Sequence, residues 1–247
     1  MRRNAHPEEH VYDDNDDHYC NICNLYTLLQ YEINYRNHTA AITGFDGIDS
    51  GAFVIPENIN GYPVVIIKNR AFFGCNLTSI TIPNSITRME GGAFLGCTNL
   101  KEVHISDMYS WCKIEFCDLD SNPISCGYFG DQKRLLYLNG SLVTNLTIPK
   151  GVTAIGDYAL YGYSELKSVQ IPDSVTSIGY AAFRQCAKLE SLMIPNSVTK
   201  IDDYAFSYCD ALSSLSLGEK VSYIGSAAFA CNNLTELSIP NSSVGNA

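Results

Sequence analysis

Charge is scarce in this chain of 247 residues. Only 17% of residues are charged, and 16 Lys and Arg face 26 Asp and Glu, for a formal net charge of −10. Nucleic acid and anionic lipid both call for a basic footprint, so neither is an expected partner. No run of about 18 apolar residues occurs, so no transmembrane helix or membrane insertion is expected. No apolar stretch follows Met1-Arg-Arg-Asn-Ala-His6, so no secretory signal peptide is expected either. Gly-x-Ser-x-Gly, His-Glu-x-x-His and a phosphate-binding glycine loop are all missing. His104 stands without an acid-base partner at any spacing that implies one. The expectation is a non-enzyme with no catalytic residues and no cofactor.

Repetition is what the chain has in abundance. Ile followed by Pro recurs at Ile82, Ile148, Ile171, Ile194 and Ile239, and Ile105 and Leu217 hold the same register without the Pro. The step is 23 residues, shortening to 22 at the end; between Ile105 and Ile148 it is 43, one repeat plus 20. A fixed period of this size marks a solenoid. Apolar residues fall in columns around the landmark: Leu77/Ile80 through Leu212/Leu215 before it, Ile86/Met89 through Val221/Ile224 after it. Ala-Phe or Ala-Leu pairs follow, from Ala93-Phe94 to Ala228-Phe229.

Each block therefore reads as a strand ended by Pro, which cannot donate to a ladder. A short second strand and one helical turn around Ala-Phe come next. A single block cannot bury its apolar side; stacking at about 4.8 Å can. The expected fold is a mainly β repeat solenoid, with two long parallel sheets, short helical turns and one interior.

The recurrent pattern L-x-x-I-x-I-P-x-S-V-T-x-I-G-x-x-A-F-x-x-C resembles the BspA-type leucine-rich repeat, known from surface proteins of gut and oral bacteria and some protozoa. Ile42 to Pro56 and Gly61-Tyr-Pro63 resemble its longer first repeat. The resemblance implies adhesion or binding to a host or cell-surface protein, with glycan as a second candidate, and a surface or secreted location. The missing signal, and an end partway through a repeat after Ile239-Pro240, favour instead a fragment or a cytoplasmic chain. A structural or intracellular repeat scaffold without its own ligand, a truncated paralogue, is the alternative.

The organisation expected is a polar extension over 1–24, the solenoid over 25–241 with an insertion at about 106–142, and a tail over 242–247. In the extension, Cys20 and Cys23 have zinc-ligand spacing, with His10 and His18 nearby. Only one Cys pair is present, so no metal is assigned. Asp13, Asn15 and Asp17 fit three calcium-loop positions, but His18 and Asn24 stand where Gly and Glu belong. Residues 25–41 read as an edge strand or hairpin capping the first repeat. In the insertion, Tyr137-Leu-Asn-Gly-Ser-Leu142 reads as a hairpin with an Asn-Gly turn, and the single Trp, Trp111, makes this stretch the least regular. It reads either as a ligand-contacting loop or as a bulge packed on itself. Five Cys, Cys75, Cys97, Cys186, Cys209 and Cys231, sit in or near a repeat column and read as buried, reduced ladder thiols.

Alternation puts the residues one and three before each landmark on the outer sheet face. Ser168, Gln170, Ser191, Met193, Ser214 and Ser216 are the candidate binding residues there. That face is flat and lined by small side chains, without an aromatic platform.

Overall fold

The computed structural model describes residues 28–47, 51–125, 133–231 and 233–238. The Cys20/Cys23 segment, the possible calcium loop, Cys126 and Ile239-Pro240 lie outside them.

The chain begins with an antiparallel pair, β1 (Leu29–Asn34) and β2 (Thr39–Phe45). From β2 it winds through alternating short strands. β3 (Ala52–Val54) is followed by β4 (Asn58–Ile59) and β5 (Tyr62–Ile67), then β6 (Ser79–Thr81), β7 (Arg88–Met89) and β8 (Glu102–Ile105). A five-residue helix α1 (Met108–Cys112) precedes β9 (Glu115–Phe116) and a 3-10 turn at Leu119–Ser121. β10 (Leu135–Leu138) and β11 (Ser141–Leu142) form a hairpin. Asn139 and Gly140 both have positive φ (50° and 77°), as its two-residue turn requires. Regular coils resume with β12 (Asn145–Thr147), β13 (Ala154–Ile155), β14 (Ser168–Gln170), β15 (Ser177–Ile178), β16 (Ser191–Met193), β17 (Lys200–Ile201), β18 (Ser214–Ser216), β19 (Tyr223–Ile224) and β20 (Glu236–Ser238).

These strands make two columns, and each is broken once. The first runs β3-β6-β8-β10-β11 and restarts as β12-β14-β16-β18-β20. The second runs β1-β2-β5-β7-β9 and restarts as β13-β15-β17-β19. The insertion divides each of the two expected long sheets into an N-terminal and a C-terminal stack. One apolar cluster nevertheless runs from Leu29 to Ala228, so the interior is continuous. Part of the insertion is itself a coil: β10 pairs parallel with β8, setting Leu138 opposite Ile105 in the landmark register.

The Ala-Phe segments are not helical turns. They are strings of β-turns whose alternate amides bond across to the next coil. Tyr158, Leu160 and Gly162 N–H reach Tyr180, Ala182 and Arg184 O at 2.9, 2.7 and 2.8 Å. Ala181, Phe183 and Gln185 N–H reach Asp203, Ala205 and Ser207 O in the same way. This third ladder replaces helical bonding because the stacked neighbour satisfies the donors at every coil. Its geometry puts the first and fifth residue at positive φ in each segment from Arg70 to Tyr208; the last segment keeps only the first, Ala227. At the fifth position Gly74, Gly96 and Gly162 occupy it without strain, whereas Gln185 (64°) and Tyr208 (59°) do not. The left-handed region costs a side chain about 1–2 kcal/mol, partly offset by the entropy a glycine loses on folding. Gln185→Gly is therefore expected to raise stability by about 0.5–1 kcal/mol, read as a higher denaturation midpoint at unchanged m-value.

Candidate functional site

The two stacks offer different outer faces on the first strand column. On the C-terminal stack, Asn145, Ser168, Ser191, Ser214 and Glu236 stand in one row. Thr147 and Gln170 share register in a second row, as do Met193, Ser216 and Ser238. Cross-strand hydrogen bonds tie the face together: Ser168 Oγ donates to Asn145 Oδ1 at 2.7 Å, and Thr147 Oγ1 to Gln170 Oε1 at 3.2 Å. Gln170 and Ser191 are exposed, Ser168, Ser214 and Ser216 half-buried, and Met193 stands 72% exposed at the centre. The six candidate residues thus lie on one sheet, without a charge among them.

The N-terminal stack presents a polar cluster instead. His104 Nε2 lies 3.2 Å from Glu102 Oε2, and its ring stacks on Tyr137 with centroids 4.8 Å apart. The expectation of an unpartnered His104 is corrected here. Alternation within β8 sets Glu102 beside it, and β10 brings Tyr137 opposite.

Where the stacks meet, side chains replace the interrupted backbone ladders. In a regular coil the alanine carbonyl accepts from the preceding coil's Phe amide, as Ala182 O does from Leu160 N–H. Ala159 lacks that donor. Trp111 Nε1 (2.9 Å) and Asn122 Nδ2 (3.2 Å) supply two. Arg134, buried, donates to Cys97 O at 2.9 Å, Pro123 O at 3.0 Å and Ser125 O. Tyr163 stands in the cysteine register and reaches Val143 O at 2.6 Å; burial pushes its hydroxyl up to about 12. Asn122, Arg134 and Tyr163 escaped sequence reasoning, because none of them repeats. The trace was only negative: polar or bulky residues in columns otherwise apolar or small.

The described ladder cysteines are free thiols. Cys97 Sγ lies 2.9 Å from Cys75 Sγ and from Phe72 O; its hydrogen bond with Cys75, together with burial, holds its pKa above the ordinary range. Burial pushes Cys112 up to about 12 and raises Cys186 as well. Cys97, Cys112 and Cys186 thus stay protonated near neutrality, which suits packing rather than nucleophilic chemistry. Among the described residues no group of three or more His, Cys, Asp or Glu is placed to hold a metal ion, and no helix is long and apolar enough to cross a membrane.

The turn side carries an aromatic edge that the outer sheet face lacks. Tyr158, Tyr180 and Tyr204 meet edge to face at 5.3 and 5.7 Å. The Arg184 guanidinium lies over Tyr204 and Tyr208 at 5.0 and 5.2 Å.

Comparison with known proteins agrees with this architecture. A family model described as the BspA type leucine rich repeat region matches six copies over residues 45–122 and 136–246. No curated protein matches. Among solved structures, a leucine-rich repeat protein from Bacteroides ovatus is 26% identical, with a TM-score of 0.53, over 85% of this chain and 59% of that one. The T. pallidum leucine rich repeat protein is 25% identical, with a TM-score of 0.45, over 86% of this chain and 79% of that one. A protein from Faecalibacterium prausnitzii, described as a leucine rich cell surface protein, is 24% identical, with a TM-score of 0.41, over 86% and 75%.

Proposed function

The chain belongs to the BspA-type leucine-rich repeat family, and from that premise we propose that it is a non-catalytic protein-binding module, adhesive toward a host or cell-surface protein and carried by a surface or secreted protein. Repeats of this family are generally non-catalytic, and the fold generally mediates contact between proteins.

The observation that carries the reading is the outer face of β12 to β20. It is broad, and its three central strands bear no charge. Its backbone is locked by parallel pairing, so docking on it orders little new chain, which lowers the entropic cost of association. Met193 offers a flexible, polarizable contact amid hydroxyls that tolerate different partners. Small side chains let another surface approach closely.

The test is binding of the purified full chain to matrix proteins, mucins and glycans, beside a variant carrying Ser168→Arg, Ser191→Arg and Ser214→Arg. Three cations in one row put bulk and charge on a neutral face. The expected result is at least tenfold weaker binding to the protein ligand with unchanged circular dichroism. Binding kept by the variant moves the site to the insertion or the tyrosine edge. Binding to nothing in the panel makes a scaffold without its own ligand the better reading. Antibody labelling of intact cells tests the surface placement, and an absence of accessible copies would count against it.

A further inference from the structure

Both strand columns break between the stacks, but they break differently. In the first, the chain closes the gap itself: β11 folds back on β10, and Val143 N–H bonds Leu136 O at 2.9 Å. In the second, no described strand lies between β9 and β13. β9 ends one sheet and β13 begins the next.

The backbone on each side of that gap has a definite direction. Glu115 N–H goes to Thr87 O at 2.9 Å and Cys117 N–H to Met89 O at 3.1 Å, both back toward β7. Backbone groups of successive strand residues point to opposite sides, so Phe116 turns its N–H and C=O toward the gap. Across it, Ile155 O accepts from Gly179 N–H at 2.9 Å and so faces β15. Ala154, one residue earlier, therefore turns its own N–H and C=O toward β9. Each wall presents one donor and one acceptor to a position that no described strand fills.

The gap is a wedge. At its closed end Gly156 N–H meets Cys112 O at 3.4 Å, and a Cβ on Gly156 would lie 3.3 Å from Ile114 O. From there it opens to a volume of about 510 Å³, bordered by Tyr109, Lys113, Glu115, Thr153 and Asp157. That volume lies within the ~300–1,000 Å³ range of ligand sites. The rim charges nearly balance: Glu115 is paired with Arg88, and one further cation and one further anion, Lys113 and Asp157, border the groove.

We propose that this groove accepts an extended peptide segment of a partner protein as an added strand between β9 and β13. A polypeptide supplies alternating donors and acceptors at strand spacing, which is what the two walls lack, and strand addition of this kind draws affinity from main-chain bonds. β13, β15, β17 and β19 are two residues long each, so a contact of two or three peptide residues completes the ladder. A peptide of low net charge suits the balanced rim. The inference rests on the binding-module reading only in taking a protein as partner, and it uses a different surface from the outer sheet face.

The probe is a phage-displayed random heptapeptide library panned on the full chain. Enriched peptides are then synthesised and titrated by fluorescence anisotropy. Ala154→Pro removes the donor on one wall at a strand edge, where proline is tolerated. Ala154→Arg fills the groove mouth without touching the backbone, and so serves if the proline variant fails to fold. The expected result is about tenfold or greater loss in both variants and no change in Ser191→Arg. N-methylation of alternate peptide residues is expected to weaken binding in either parity, since successive residues bond opposite walls, and bound peptide to slow amide exchange at Phe116 and Ala154. No enriched peptide, or binding that survives Ala154→Arg and N-methylation in both parities, overturns the proposal. Loss in Ser191→Arg alone also overturns it while supporting the sheet-face site, so the two ideas fail separately.

Discussion

Replacing Trp111 with alanine is expected to lower stability by about 3–5 kcal/mol, the range for truncating a buried aromatic side chain, and to separate the melting of the two stacks. Trp111 is 1% exposed, packs on Phe116 with centroids 5.3 Å apart, and donates to Ala159 O in the first coil beyond the break. Its removal opens a cavity where no described strand pairing joins the halves. Stacked repeats are stable through nearest-neighbour contacts, so weakening one interface uncouples what lies on either side. Thermal unfolding followed by circular dichroism and residue-resolved amide exchange would then show two transitions, one for each side of residue 140. Trp111→Phe keeps most of the packing and costs about 1 kcal/mol, since Asn122 still satisfies Ala159 O. Adding Asn122→Leu to it leaves that buried carbonyl bare, so the double variant should lose more than the sum of the singles. A strictly additive pair would show that the two donors do not share the acceptor.

Phe206→Ala is expected to cost a similar 3–5 kcal/mol, confined to the C-terminal stack. Phe206 is fully buried between Phe183 and Phe229, at 5.0 and 5.4 Å and almost parallel. Isolated ring pairs favour offset or edge-to-face contact; here the coil spacing imposes the parallel stack. Amide exchange should accelerate across residues 183–231 while 64–105 keep their protection, because coils beyond the nearest neighbours do not feel the loss. Phe229→Ala removes a half-buried ring and should cost about half as much. Uniform loss of protection along the chain would mean that the two stacks unfold as one unit, against the broken sheet topology.

The regular coils were legible because their determinants are local and recurrent. Leu189, Leu192, Ile194, Val198, Ile201, Ala205 and Phe206 are all buried, as one repeat read against its neighbours implies. Asn139-Gly140 announced its hairpin for the same reason, since two adjacent positive φ angles leave few other residue choices. The Ala-Phe segment was misread as helical. A run with Ala and Phe close together fits a helical turn as well as a string of β-turns, and the choice fell to amide bonds with the next coil, 23 residues away.

The candidate surfaces divide in the same way. The row Ser168, Ser191, Ser214 could be written down from spacing alone, because a parallel ladder keeps equivalent residues opposite. The Glu102–His104–Tyr137 cluster could not, since Tyr137 joins it through a strand that breaks the period. What the sequence by itself determined is the coil, the columns, the core, and which sheet residues face outward. What only the tertiary structure decided is everything at the break. Trp111 and Ala159 are 48 residues apart, Arg134 and Cys97 are 37 apart, and β9 and β13 face each other with no described strand between. A period encodes contacts between neighbours at constant separation. An irregular insertion has no second copy to be read against, so its contacts follow from how the chain packs in three dimensions.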